Sequence, residues 1–326
     1  MRALVFDRFG GPEVLQLREL PDPVPSPQQA LVRTRAIGLN FADVYRRQGH
    51  YHLAGDPPWI AGYEASGEIV SAPQDSGFAP GDRVAFADCA YANAELVAVD
   101  LDRLIPLPDD IDYDTAAALL LQGLTAQYLI RDSHPLCAGE TVLVHAAAGG
   151  VGQLLVQLAV AAGARVFALA STPEKCQVAC RAGAEDAATY AEDWVSRAQA
   201  FGGNPVYGGG VDVAYDSVGS TLLDSLRAVR ICGHVVFYGM AGGDPAPVDP
   251  RLLMDGSKTL TGGDLWNVLR TPADRRTRSA ELFDAVRTGK LKVNVGARYP
   301  LAEGAAAHAH LESRRALGKV LLIPGG

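Results

Sequence analysis

With 326 residues the chain is long for a single hydrophobic core, so two domains are expected. Apolar residues make up 48% and charged residues 20%, the balance of a globular enzyme rather than of a disordered chain. The net charge of −8 repels phosphate backbones and anionic lipid, which disfavours nucleic acid and membrane surfaces as partners.

Residues 1–8 (MRALVFDR) lack the apolar core of a signal peptide and read as a strand. Residues 31–37 (LVRTRAI) alternate as a half-buried strand does, and 82–86 and 95–99 are further short strands. Proline and glycine punctuate the stretches between them, as at 21–29 (PDPVPSPQQ) and 79–83 (APGDR), which suggests a small irregular barrel or sandwich. After Pro108 the character changes. Residues 114–130 (DTAAALLLQGLTAQYLI) read as a long buried helix begun at an Asp or Thr cap. From Thr141, strands at 141–145, 165–170, 211–216 and 235–238 alternate with helices at 152–162, 173–182 and 221–230, predicting a parallel, doubly wound sheet. Residues 257–261 (SKTLT) are also strand-like, and either they or 235–238 end that sheet as an edge. A helix at 276–288, a strand at 293–299, a helix at 303–313 and a strand at 319–323 close the chain. A nucleotide-type domain is thus inserted between a β-rich beginning and a C-terminal tail. The longest apolar runs, 116–121 and 154–164, fall short of the ~18 residues that span a bilayer.

The strongest local signal is 142–152 (VLVHAAAGGVG), where an apolar strand turns through small residues into a helix. Gly149 and Gly150 let the backbone approach a pyrophosphate, Gly152 lets the helix pack on the strand, and the N–H groups around Val151 point at an anion. Ala147 stands where the standard fingerprint has its first glycine, so the motif is a variant whose weight comes from the surrounding strand–helix–strand unit. The second strand, 165–170 (RVFALA), ends without the acid that binds the ribose hydroxyls of NAD. Ser171 and Lys175 follow it and suit a 2′-phosphate, which favours NADPH. The competing reading makes Ser171 and Glu174 a capping box and Lys175 a solvated surface cation.

Five cysteines, Cys89, Cys137, Cys176, Cys180 and Cys232, form no CxxC pair and read as the reduced thiols of a cytoplasmic protein. Cys89 has no neighbour with which to build a four-cysteine zinc lobe. Cys176 and Cys180, four apart on a helix, read as two small apolar residues on one buried face. His308 and His310 lie on different faces of a helix and cannot chelate together. No metal site is expected.

Residues 36–43 (AIGLNFAD), 62–70 (GYEASGEIV), 80–84 (PGDRV), 122–125 (QGLT), the HAAAGGVG turn and 216–219 (DSVG) come in a familiar order. Along essentially its whole length the chain resembles the zinc-free medium-chain dehydrogenase/reductases, and within them the bacterial NADPH:quinone oxidoreductases related to zeta-crystallin. The resemblance implies an α/β protein: a Rossmann doubly wound parallel sheet domain (122–262) inserted in a GroES-like β-rich catalytic domain made of 1–121 and 263–326. It implies an active-site cleft at their junction and a homodimer. In zinc alcohol dehydrogenases a cysteine ligand lies in the region of Asn40 and a histidine precedes the glutamate; here those places hold 40–43 (NFAD) and Tyr63. The resemblance sets Asn40 and Tyr45 near the nicotinamide, Ser171 and Lys175 on the adenosine phosphate, and Tyr190 near the adenine. Ser217 and Gly239 would line the cofactor groove, and Arg314 would reach it from the C-terminal segment. Gln122 departs from the lysine of close relatives, and the loop 52–59 (HLAGDPPW) differs and would shape the substrate pocket. The implied reaction is NADPH-dependent quinone reduction. The alternative is reduction of an enone, alkenal or enoyl thioester, for which Tyr51 is a candidate proton donor and otherwise an aromatic lid. A non-catalytic NADPH-binding protein is a third reading.

Overall fold

The first strand, β1 (Arg2–Phe6), alternates little because Ala3, Leu4, Val5 and Phe6 are all buried. It pairs with β2 (Gln16–Glu19) on one side and, beyond β3 (Gln29–Gly38) and helix α1 (Phe41–Arg47), with β4 (Trp59–Ile60) on the other. Then come β5 (Glu64–Ser71), β6 (Arg83–Ala87), β7 (Leu96–Asp100), β8 (Ile105–Pro106) and the long helix α2 (Tyr113–Tyr128). The alternating strand gives way to strand–helix units: β9 (Thr141–Val144), α3 (Gly150–Ala161), β10 (Arg165–Ala170), α4 (Pro173–Arg181), β11 (Asp186–Thr189), α5 (Trp194–Gly202), β12 (Val211–Asp216), α6 (Leu222–Ala228), β13 (Val229–Phe237), α7 (Pro250–Gly256) and β14 (Thr259–Gly262). Helix α8 (Pro272–Arg287), β15 (Val295–Pro300), α9 (Gly304–Glu312) and β16 (Lys319–Ile323) complete the chain. This computed structural model describes residues 1–326 other than His52, Ala54, Asn204 and Gly326.

The chain divides into two compact units, one of Met1–Leu121, Leu269–Gly289 and Val293–Gly326, the other of Gln122–Val268 and Lys290–Lys292. In the first, a seven-stranded sheet runs β15-β16-β3-β5-β6-β8, with β7 also paired to β3. The C-terminal strand enters this sheet through Leu321 opposite Gly38 and Leu322 opposite Ile37. The core gathers Val5, Ile37, Ala65, Phe86 and Val99 from the N-terminal strands and Leu322 from the C-terminal one.

In the second unit six strands run β11-β10-β9-β12-β13-β14, and every pairing is parallel. In order of appearance this is 3-2-1-4-5-6, the doubly wound Rossmann order that the strand–helix rhythm predicts. Leu143, Phe167, Leu169, Ala214 and Val235 form its core, buried on both faces as parallel strands require.

Several expectations need correction. Helix α2 is capped by Asp112, whose carboxylate accepts the Thr115 N–H at 2.6 Å, and after Tyr128 its last turn widens into a π turn over Leu129–Ser133. The helix expected at 221–230 stops at Ala228, and β13 begins at Val229, because Val229 and Ile231 favour extended backbone and Cys232 takes φ of +57°. β11 and α5 escaped prediction; residues 186–189 (DAAT) carry a single β-branched side chain. The sheet edge is β14, not 235–238, and it starts at Thr259 because Ser257 is the left-handed cap of α7. Cys180 is exposed and Cys176 only partly buried, so this pair is no buried face: α4 lies on the rim of the sheet beside β11. Among the described residues no helix is long and apolar enough to cross a membrane.

Candidate functional site

In the second unit the chain leaves β9 at His145 and turns through Ala146, whose φ of +47° is costly for a side chain with a Cβ. The Ala146 N–H is held by the Tyr190 hydroxyl at 2.9 Å, and the Ala147 N–H by the Leu169 carbonyl at 2.9 Å. Helix α3 then starts with Gly149 as its cap, and no side chain closes its N-terminus. A Cβ on Gly150 would sit 1.9 Å from Gln122 Oε1, and one on Gly152 would sit 2.4 Å from the Ala146 carbonyl oxygen. The first collision is with a side-chain tip and the second with backbone, so Gly152 is the stricter requirement. The turn therefore offers the first N–H groups of a 12-residue helix, around Gly150, Val151 and Gly152, to an anion.

The end of β10 is equally open. Ala170 is followed by the exposed Ser171, and α4 is capped by Thr172, whose hydroxyl accepts the Lys175 N–H at 3.3 Å. The expected Ser171–Glu174 capping box is thus displaced by one residue, because Pro173 takes the first helical position after Thr172. Across the sheet, Asp216 Oδ1 accepts the Val218 and Gly219 N–H groups at 2.8 and 3.1 Å and shapes the loop that carries Ser217. Gly239 lies against that loop: a Cβ there would be 3.1 Å from the Ser217 carbonyl oxygen. The structure thus gathers Gly149, Gly150, Val151, Gly152, Ser171, Lys175, Tyr190, Ser217 and Gly239 in the second unit, at the C-terminal ends of parallel strands, where open α/β sheets bind ligands.

Asn40, Tyr45, Tyr51 and Arg314 belong to the first unit. Asn40 precedes α1 and is 4% exposed. Its amide donates to the Gly38 carbonyl at 3.2 Å and to Glu64 at 3.0 Å, and its oxygen accepts from Lys319 Nζ at 2.9 Å. Lys319 and Glu64 form a buried ion pair at 2.5 Å, with side-chain exposures of 1% and 0%. On α1, the Arg46 guanidinium lies 3.1 Å from the Tyr63 ring centroid and 5.0 Å from that of Tyr51, and Tyr45 meets Tyr51 edge-on at 6.3 Å. Burial pushes the Asp43 carboxyl up to about 6, although Arg46 pulls the other way, and burial also raises the Tyr63 phenol. Arg314 is exposed with φ of +59° after α9. The loop 52–59 ends at Trp59, which stacks on Phe9 at 5.1 Å, while His52 and Ala54 lie outside the described residues.

Lys319, Glu64 and Arg46 escaped the sequence reading. Lys319 and Glu64 are 255 positions apart, and nothing local marks a lysine in a C-terminal strand as the mate of that carboxylate. The buried trio of His145, Ser225 and Asp216 was missed for the same reason; the only local sign was a histidine ending an otherwise apolar strand.

A model of the alcohol dehydrogenase GroES-like domain matches residues 26–134, and a model described as zinc-binding dehydrogenase matches residues 150–277. The donor set here does not fit zinc. Asn40 and Tyr63 are poor ligands, the Lys319 ammonium sits on the Glu64 carboxylate, and among the described residues no three His, Cys, Asp or Glu side chains converge to hold a metal. The quinone oxidoreductase of Pseudomonas aeruginosa is 38% identical over 99% of both chains. A Burkholderia 2-haloacrylate reductase is 37% identical over 99% of this chain and 98% of its own. The crystal structure of Escherichia coli quinone oxidoreductase complexed with NADPH superposes with a TM-score of 0.94 at 35% identity, over 99% of this chain and 100% of that one. Similarity of this extent, carried end to end by both halves of the chain, makes it a member of the quinone oxidoreductase family of the medium-chain dehydrogenase/reductases.

Proposed function

We propose that the chain reduces quinones with NADPH. The observation that carries this reading is the start of α3, where Gly152 leaves no room for a side chain and the helix N-terminus is uncapped. Relatives with quinone oxidoreductase activity in their names supply the acceptor class, and an NADPH-complexed relative of the same fold supplies the cofactor. When bound, NADPH supplies the reducing equivalent, and the protein supplies geometry.

In this reading Gly149, Gly150, Val151 and Gly152 hold the pyrophosphate, and Ser171 and Lys175 the 2′-phosphate. Tyr190 lies toward the adenine, Ser217 and Gly239 line the groove, Arg314 reaches it, and Asn40 and Tyr45 flank the nicotinamide. The Glu64–Lys319 pair holds the Asn40 amide in one orientation. The acceptor is a small molecule. We place the protein in the cytoplasm as a homodimer that works without zinc.

One observation favours a second reading, reduction of an activated alkene. The Burkholderia relative is a 2-haloacrylate reductase, and Tyr51 places its ring 5.0 Å from the Arg46 guanidinium beside Tyr45. Saturating a C=C bond requires a proton at carbon, where a positioned acid contributes roughly 10²–10⁴-fold. A quinone oxygen is protonated by water. The test is NADPH oxidation across quinones, alkenals and enoyl thioesters by the parent and by Tyr51→Phe. We expect quinone turnover that stays within a few-fold in the variant, with any alkene turnover falling much further. Deuterium carried from C4-labelled NADPH to the β-carbon of an enoyl product, with negligible quinone turnover, would replace the first reading by the second. NADPH binding without turnover of any acceptor would indicate the non-catalytic reading.

A further inference from the structure

The two loops assigned to the cofactor are joined by a chain of polar groups, of which His145, Ser225 and Asp216 are fully buried and Tyr190 half-buried. His145 directly follows β9, is fully buried, and lies immediately before the strained Ala146. Its Nε2 is 2.9 Å from Ser225 Oγ on α6, and that hydroxyl donates to Asp216 Oδ2 at 2.7 Å. Asp216 Oδ2 also accepts from the Thr221 hydroxyl at 2.8 Å, while its Oδ1 holds the Val218 and Gly219 N–H groups. On its other side the imidazole Nδ1 is 3.4 Å from the Tyr190 hydroxyl, the same hydroxyl that accepts the Ala146 N–H.

The donors and acceptors admit one consistent direction. Ser225 uses its proton on the carboxylate, so it accepts from His145 Nε2–H. Nδ1 is then an acceptor, and the Tyr190 O–H donates to it. Burial pushes the His145 imidazole below its ordinary range, although Asp216 pulls it up, so the neutral Nε2–H form is the one that fits. His145, Ser225 and Asp216 resemble a hydrolytic set only in composition. The serine lies between the other two, and all three are sealed from solvent, with exposures of 0%.

We infer that His145, Ser225, Asp216 and the Tyr190 hydroxyl form one strut that fixes the dinucleotide turn at 146–152 relative to the loop at 216–219, making His145 and Ser225 positioning residues for NADPH. The glycines cannot hold the turn themselves, since they add no side-chain contact, and Ala146 would relax from its positive φ without the Tyr190 oxygen on its N–H. The inference rests on the cofactor reading above and adds a mechanism for how that site keeps its shape.

A double-mutant cycle tests it. Ser225→Ala cuts the strut in the middle, and Tyr190→Phe removes one hydroxyl while keeping the ring; the two hydroxyls lie on opposite sides of the imidazole. Each change is expected to raise the Kd for NADPH about fivefold, the effect of losing one ordinary hydrogen bond. If the groups act as one unit, the double variant also weakens binding about fivefold, with kcat at saturating NADPH falling less than the affinity does. Effects that multiply to about 25-fold would overturn the strut, and so would variants that melt earlier yet bind NADPH as the parent does. If Ser225→Ala does not fold, Ser225→Cys, similar in shape and a weaker donor, takes its place in the same cycle. A parent chain that fails to bind NADPH would overturn the cofactor reading, and the strut with it; a parent that binds normally leaves the cycle to judge the strut alone.

Discussion

Thr172, one residue later than the sequence suggested, caps α4, and this sharpens the assignment of Lys175. The cap uses only the Lys175 backbone N–H, so truncating the side chain leaves the helix start intact. Lys175→Ala is therefore expected to weaken NADPH binding roughly tenfold or more, the worth of a charge-assisted contact, and to leave NADH binding nearly unchanged. Fluorescence titration with both cofactors checks this; equal weakening would remove Lys175 from the phosphate site. His308 presents a different problem. It is fully buried in α9, neither ring nitrogen has a hydrogen-bond partner among the described residues, and burial beside Arg47 pushes it down to about 3. The unfolded chain takes up this proton near pH 6.5 and the folded chain does not, so stability is lost as pH falls from ~6.5 toward 3, by up to about 1.4 kcal/mol per unit. His308→Met removes both the unmet nitrogens and this proton. It is expected to raise the urea midpoint at pH 7 and to flatten the acid limb of stability between pH 6 and 4; an unchanged acid limb would assign that limb to other groups.

At the level of elements, the turn from β9 into α3 tolerates no added atom at its third glycine. In Gly152→Ala the new methyl meets the Ala146 carbonyl oxygen at 2.4 Å and Ala147 Cα at 2.7 Å. The helix must tilt away from β9, and the N–H groups at its start leave their common point. The variant is expected to fold with a loss of about 1–3 kcal/mol, typical of overpacking, and to lose most NADPH affinity. Gly150→Ala displaces only the end of Gln122 and should be the milder of the two. Calorimetric titration ranks them, and equal losses would contradict the difference between backbone and side-chain obstruction. The motif itself was legible because its chemistry is local: a strand, a few small residues and a helix start are all contiguous. The early start of β13 was not, because its first residues pair with β12 only through the irregular step between Val211 and Val213.

For the molecule as a whole, the open side of β14 raises the question of assembly. Exposed edge strands invite pairing, and α7, just before this one, buries none of its residues and leaves Leu252 52% and Met254 70% exposed. A second copy related by a two-fold axis would cover both features at once. Native mass spectrometry at micromolar concentration is expected to give twice the 34.3 kDa chain mass, without zinc. Met254→Glu, which sets like charges across such an axis, is expected to shift the population toward one chain. A parent at single-chain mass, or one carrying a stoichiometric metal, would contradict these assignments.

The sequence by itself determined the parallel doubly wound sheet, the β-rich beginning and the dinucleotide turn, because each is written in short-range periodicity and in the steric needs of neighbouring glycines. The absence of an acid after β10 was equally plain, being a matter of which residue ends a strand. Tertiary structure alone decided what brings distant residues together. Lys319 is an ordinary lysine until β16 docks on β3 and sets its ammonium against Glu64 and Asn40. His145 is one polar residue just past an apolar strand until α6 delivers Ser225 and β12 delivers Asp216 to it. Such pairings follow from burial: a polar group taken out of water must find a partner, and which partner it finds depends on the packing of elements rather than on the local order of residues.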